Sequence, residues 1–239
     1  MVKKTHEFRF KRKKPHSVTI IIPTLNEEGT ISQIIQACRF YAKKWIKNVK
    51  ILVIDGNSTD NTVLKAKKEG ALVFKQKGKG LGNAIRSGVH HVRNDAIIIF
   101  GADGNQHPKE IELLIQGLRN DVDLVVGSRF KGTYQTSAPW RKLGNQIFNI
   151  IARLMFGVPI SDGLNGVKML RRDFAQSLDL KHDGISIDME ICIKTHKKGG
   201  KIREVPSFFH LRNYGTSKVS PLKAGMVILT LMTRLFLVE

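Results

Sequence analysis

From residue 17 onward the chain alternates between short, continuously apolar runs and longer stretches whose apolar positions recur with helical spacing. The runs "SVTIIIP" (17–23), "VKILVID" (49–55), "GALVFK" (70–75), "DAIIIFG" (95–101) and "DVDLVVG" (121–127) are rich in β-branched residues and bounded by turn formers, the pattern of buried strands. Helical stretches are expected between them, at about 28–44, 60–69, 81–93 and 108–119. A longer helix over 139–156 and another strand near "KIREVPSFF" follow. Strands apolar on both faces and separated by helices predict an α/β fold, a mostly parallel sheet sandwiched by helices. Three strands run into polar, turn-forming sequence: "PTLNEE", "DGNSTD" and "GADGNQHP". In open α/β sheets the ligand crevice lies outside the carboxyl ends of the strands, so these loops are expected to share one rim.

The two ends break this pattern. Residues 1–16, "MVKKTHEFRFKRKKPH", place seven Lys/Arg among the first fourteen positions and contain no apolar signal core; they read as a mobile basic arm. No linker-like composition or repeat interrupts 17–218, which is expected to be one domain. Residues 219–239 are apolar but interrupted by Lys223 and Arg234, too broken for the roughly 20 apolar residues of a spanning helix. On a helical wheel Lys223, Thr230 and Arg234 share one narrow stripe and the rest is mostly apolar. That fits either an amphipathic helix lying in a membrane interface or a helix docked on the domain.

Composition changes the picture in one respect. The chain has 239 residues, 41 % of them apolar and 25 % charged, which is ordinary for a globular protein; the formal net charge of +20 is not. Such a surface attracts nucleotide phosphates, an anionic membrane leaflet or nucleic acid. Nucleic acid is the weakest of these, because aromatics are only 7 % and no recognised nucleic-acid motif is present. Two cysteines, Cys38 and Cys192, give no disulfide framework and fit a reducing compartment.

The candidate chemistry sits in the loops. Glu27 follows the first strand, where it suits either a helix start or hydrogen bonds from a ribose or base. Asp55 ends the second strand and is a better ligand candidate than Asp60, which reads as a cap. "KGKGLGNAIRSG" leads into a helix and suits an anion, but is neither the dinucleotide fingerprint nor the P-loop. His90 and His91, adjacent on a helix, point about 100° apart and read as structural. Asp103 is a lone carboxylate at a strand mouth, either a cation ligand or a turn residue. Arg129, Arg212 and Lys218 could together neutralise a diphosphate.

In order and spacing, "IIIPTLNEE", "VIDGNSTDNT", "GKGLGNAIRSG", "ADGNQHP", "GSR", "DGLNGVKMLRR", "IDMEICIKTHKKGGKIREVP" and "RNYGTSK" resemble the family 2 glycosyltransferases over about residues 17–218. Within that family they are most similar to the dolichyl- or polyprenyl-phosphate sugar transferases of the dolichyl-phosphate mannosyltransferase type. The resemblance implies a GT-A fold, a UDP- or GDP-linked sugar donor, Mg²⁺ or Mn²⁺, and inverting transfer of a hexose to a polyprenyl phosphate. It also implies peripheral attachment at the cytoplasmic face of a membrane. By position Pro23, Leu25, Glu27, Val53 and Asp55 would surround base and ribose, and Ala102, Asp103 and Asn105 would form the metal and diphosphate corner, with Asp103 and Asn105 as metal ligands. Arg129, Arg212 and Lys218 would hold donor phosphates and, with Asp103, carry catalysis; Arg141 and Asn145 would face the lipid phosphate.

The residue types agree with that chemistry. A lipid phosphate is already an anion and needs little help from a base, whereas the departing nucleoside diphosphate needs cations. A transferase acting on a saccharide or lipid-linked glycan hydroxyl, the alternative within the family, needs a base, for which Asp162, Asp188 and Glu190 are candidates; orienting nearby cations is their other reading. Two departures stand out. The family's D-x-D is here Gly101-Ala102-Asp103, and its "DDGS" is "DGNS", which keeps Asp55 and loses the second acid. The charge of +20 also motivates a third reading, a polyanion-binding module, and Gly101 a fourth, an inactive family member.

Overall fold

The computed structural model of the chain describes residues 13–136, 138–210 and 221–237. Seven strands form one sheet: β1 (Ser17–Thr24), β2 (Asn48–Asp55), β3 (Leu72–Lys75), β4 (Ala96–Ile99), β5 (Leu124–Tyr134), β6 (Lys168–Arg171) and β7 (Ile202–Phe209), in the spatial order β3-β2-β1-β4-β6-β5-β7. β1 to β4 are parallel, as is the β5–β7 pair; only β6 runs against its neighbours β4 and β5. The helices are α1 (Ile31–Lys43), α2 (Thr62–Lys68), α3 (Leu81–His91), α4 (Glu110–Gly117), α5 (Pro139–Phe156), α6 (Arg172–Ser177), α7 (Ile187–Lys197) and α8 (Pro221–Leu237).

Strand alternation builds two cores. Ile21, Leu52, Ile54, Ile97 and Ile99 point to the face covered by α3, α5, α7 and α8. Ile20, Ile22, Ile51, Val53 and Ile98 point to the opposite face, under α1, α2 and α4. This double burial accounts for the apolar runs of β1, β2 and β4; β3, expected as a buried strand, is instead the sheet edge and leaves Leu72 and Phe74 exposed. α5 takes the expected boundaries because Pro139 opens it and Gly157, at φ +68°, closes it in the left-handed conformation that glycine adopts without strain.

Three features differ from expectation or complete it. The basic arm is tied down at its described end: Arg171 Nη1 donates to the Lys13 carbonyl (2.6 Å), and the N–H groups of His16 and Ser17 donate to the Asp95 carboxylate (2.9 and 3.1 Å). Residues 1–12 lie outside the described residues. α8 divides its apolar circumference. Ile228, Leu231, Met232 and Leu235 are buried in the core, while Met226, Leu229, Phe236 and Leu237 are exposed. Among the described residues no helix is long and apolar enough to cross a membrane.

Candidate active site

A cavity of about 1020 Å³ opens at the carboxyl ends of β1 and β4. The loop after β4 forms its floor, the far half of β5 and the end of β7 one wall, and α5 and α8 another. Pro23 and Glu27 reach it from the first loop, Ala102, Asp103 and Asn105 from the third, Arg129 from β5, and Arg141 and Asn145 from α5.

The loop after β4 is held at both ends. The Thr30 hydroxyl donates to the Ala102 carbonyl (2.6 Å), and His210 N–H donates to the Asn105 carbonyl (2.8 Å). Gly104 turns the chain at φ +70°. The Asp103 carboxylate accepts from the backbone and side-chain nitrogens of Asn105 (3.2 and 2.9 Å). That leaves Asn105 Oδ1 buried with no hydrogen-bond partner. An orphaned buried amide oxygen costs about 1–3 kcal/mol, and a hard divalent cation beside the Asp103 carboxylate is a partner that would recover it. The residues therefore fit Mg²⁺ or Mn²⁺. They supply only part of a shell, since no cluster of three or more His, Cys, Asp or Glu suited to a metal exists among the described residues.

Gly101 has a local explanation. A Cβ there would lie 3.0 Å from Gln106 Oε1 and 3.4 Å from Asp103 Oδ1. The Gln106 side chain fills that space: its Oε1 accepts from Gly101 N–H (3.3 Å) and its Nε2 donates to Asn165 Oδ1 (3.2 Å).

Arg129 is buried and clamped. Its backbone N–H, Nε and Nη2 all donate to the Asp162 carboxylate, at 2.9, 2.7 and 2.7 Å, and the guanidinium stacks 4.4 Å from the Tyr134 ring centre. Burial works against the charge, but the bidentate Asp162 outweighs it and raises the guanidinium above its ordinary value. Asp162 is thus spent on a cation and is poorly placed to act as a base. Asp188 lines the cavity but pairs with the fully buried Lys168 (3.0 Å), and burial pushes its carboxyl up. Glu190 does not reach the cavity. It accepts from the N–H groups of Lys181 and His182 (both 2.9 Å) and pairs with Lys194 (3.0 Å). Each of the three candidate bases is buried and paired with a cation: Asp162 with Arg129, Asp188 with Lys168 and Glu190 with Lys194.

Other expected contacts fall elsewhere. Val53 is fully buried in the sheet's far core, and Leu25 and Asp55 are not part of the cavity lining. Asp55 folds its own loop, accepting from Asn57 and Ser58 N–H (each 3.1 Å). Asp60 accepts from Thr62 N–H (3.0 Å) and Glu28 N–H (3.1 Å), joining the first two loops. The glycine-rich loop packs against protein where an anion was expected: Gly82 and Asn83 N–H donate to the Asp183 carbonyl (2.7 and 3.3 Å). A Cβ at Gly82 would come within 2.1 Å of the His182 carbonyl oxygen, so glycine is there for close packing. Arg212 and Lys218 lie outside the described residues. Sequence reasoning missed Gln106, Tyr134, Trp140 and His210 on the cavity wall. His210 follows directly on β7, and the strand-end rule that picked out Asp103 would have found it.

Comparison with known proteins gives concordant results. The family model described as "Glycosyl transferase family 2" matches residues 19–178. Glycosyltransferase AglJ of Haloferax volcanii is 31 % identical over 218 residues, covering 90 % of this chain and 70 % of its own. A dolichol-phosphate mannosyltransferase of Pyrococcus furiosus is 31 % identical over 211 residues, 84 % of this chain, which spans only 59 % of that protein's length. Among solved structures, glucosyl-3-phosphoglycerate synthase from Mycobacterium tuberculosis, in a complex with Mn²⁺, UDP-glucose and phosphoglyceric acid, superposes with a TM-score of 0.73. The identity there is 21 %, over 92 % of this chain and 79 % of that one.

Proposed function

The chain belongs to glycosyl transferase family 2, with the GT-A fold, and from that premise we propose that it is a metal-dependent, inverting hexosyltransferase acting on a polyprenyl (dolichyl) phosphate. The donor is a UDP- or GDP-linked sugar, and the enzyme works peripherally at the cytoplasmic face of a membrane. The domain proper is 17–218, with 1–16 as a basic arm and 219–239 as an interfacial helix.

The observation that carries the reading is the pairing of the Asp103 carboxylate with the orphaned, buried Asn105 Oδ1 on the wall of a cavity at the strand ends. Asp103 and Asn105 would hold Mg²⁺ or Mn²⁺, whose chemistry when bound is to neutralise charge on the departing diphosphate. The similar synthase crystallised with Mn²⁺ and UDP-glucose supports a nucleotide-sugar donor in this fold. The similar mannosyltransferase supports a lipid phosphate acceptor.

This chain's own residues do the remaining work. Glu27 and Pro23, at the end of β1, face the nucleoside side of the cavity, with Leu25, Val53 and Asp55 shaping the loops behind it. Arg129, fixed by Asp162, lines the cavity and would meet the donor phosphates there, with Arg212 and Lys218 as further cations for the same role. Arg141, with Asn145 held by Tyr134 Oη (2.8 Å), receives the acceptor phosphate. One phosphate oxygen attacks the anomeric carbon as the bond to the diphosphate oxygen breaks, and the nucleoside diphosphate leaves with the electron pair. No proton has to be removed, which accords with Asp162, Asp188 and Glu190 all being committed to buried partners.

Incubation with labelled nucleotide sugars and either polyprenyl phosphate or saccharide acceptors tests the proposal. Label is expected on the lipid phosphate, as an acid-labile glycosyl phosphate of inverted configuration. Transfer only to hydroxyl acceptors would overturn it.

A further inference from the structure

α5 is apolar on two sides: Phe148, Ile151, Met155 and Phe156 pack against the core with Ala152, and a second apolar stripe faces outward. Asn149 and Ala152 face the core, and the opposite side carries Trp140, Leu143, Ile147, Ile150 and Leu154. These five are between 45 and 82 % exposed. Their spacing of three and four residues aligns them in one stripe, within about 80° of arc. Contiguous apolar exposure of this kind marks a surface that something covers.

Charge decides what covers it. α5 also carries Arg141, Lys142 and Arg153, the neighbouring α8 carries Arg234, and neither helix has an acidic residue. Two copies packed stripe to stripe would bring like charges together with nothing to offset them. An anionic lipid surface meets both features, taking apolar side chains at the acyl boundary and cations at the headgroups. α8 continues the surface: Gly225 sits against Phe148 of α5, the Phe156 and Phe236 rings are 5.9 Å apart, and α8 exposes Met226, Leu229, Phe236 and Leu237. Trp140 belongs both to the stripe and to the wall of the active-site cavity, so the stripe leads to the cavity mouth.

We propose that the outward stripe of α5, Trp140-Leu143-Ile147-Ile150-Leu154, is a docking surface that inserts into the headgroup layer of an anionic bilayer and sets the cavity mouth against it. The surface stands on α5 alone and does not require the acceptor to be a lipid. It is tested with vesicles that contain no polyprenyl phosphate, so its failure and that of the proposed function are separable.

The full chain with Trp45→Phe keeps Trp140 as its sole tryptophan. Mixed with phosphatidylglycerol–phosphatidylcholine vesicles, its emission is expected to shift blue and to be quenched by brominated acyl chains. Neutral phosphatidylcholine vesicles are expected to give little of either change. The double variant Leu143→Glu, Ile147→Glu is expected to unfold at the wild-type temperature and to bind these vesicles about a hundredfold more weakly. Equal vesicle binding by variant and wild type would assign attachment to other basic segments and overturn the proposal. So would an unquenched Trp140, or a solution dimer that the double variant dissociates.

Discussion

Gly101 breaks the usual pair of metal-site acids, and its neighbours explain how the fold closes the gap. Gln106 fills the space and bonds back to Gly101 N–H, leaving Asp103 and Asn105 as the protein's share of the corner. Gly101→Asp must push Gln106 aside. It is expected to lower unfolding stability by about 1–2 kcal/mol in the presence of a chelator, with the loss shrinking when Mn²⁺ gives the added carboxylate a partner. Denaturant titrations with and without Mn²⁺ measure both. Arg129 and Asp162 make the complementary case, a buried pair in which each needs the other. Asp162→Ala strands the guanidinium and is expected to cost about 3–5 kcal/mol in urea unfolding. A cost under 1 kcal/mol would mean that water or another carboxylate reaches Arg129.

At the scale of elements, Glu110 joins the start of α4 to β7, and its titration reports on that joint. Its Oε1 accepts from His107 and Phe208 N–H (3.3 and 2.9 Å), and burial outweighs these bonds and the nearby Ser207 hydroxyl to raise it from 4.5 to about 6. The folded state keeps a proton that the unfolded chain has already shed. The favourable contribution is therefore full below pH 4.5 and lost as the pH rises through about 6. Between those values wild type is expected to lose about 2 kcal/mol relative to Glu110→Gln; parallel stability–pH curves would contradict this. The elements easiest to read in sequence were those with a one-dimensional signal. β4 is wholly apolar, β1 and β2 each contain an apolar run of three or four residues, and α5 is bracketed by Pro139 and Gly157. The opaque ones lack such a signal. β6 is four residues, begins with a buried lysine and runs antiparallel within an otherwise parallel pattern. α7 is buried on nearly all sides, so its polar residues face partners and no amphipathic period survives. The site divides the same way. Asp103 was legible as a carboxylate in the loop just beyond β4, whereas Arg129, which follows the apolar run 121–127 in sequence, lies within the longer β5. Gln106 and the commitment of Asp55 to its own loop depend on side-chain packing that no spacing encodes.

At the scale of the whole molecule, the charge of +20 accompanies a cavity of about 1020 Å³ at the strand ends, and the proposed function gives that charge a specific use. Basic residues alone would suit any polyanion. The Asp103 carboxylate lines the same cavity as Arg129 and Arg141, a mixed lining that would suit a divalent cation together with a diphosphate and that generic polyanion binding does not require. The exposed apolar sides of α5 and α8 adjoin that cavity, so the proposed donor site and the proposed docking surface lie side by side. The most direct test of the central claim, a nucleotide-sugar site completed by metal at Asp103, is a thermal-shift screen of UDP- and GDP-sugars with and without Mn²⁺. One nucleoside diphosphate sugar is expected to raise the melting temperature of wild type only when Mn²⁺ is present, and Asp103→Ala is expected to lose that shift. A donor shift that is equal without Mn²⁺ and unchanged in Asp103→Ala would contradict the account.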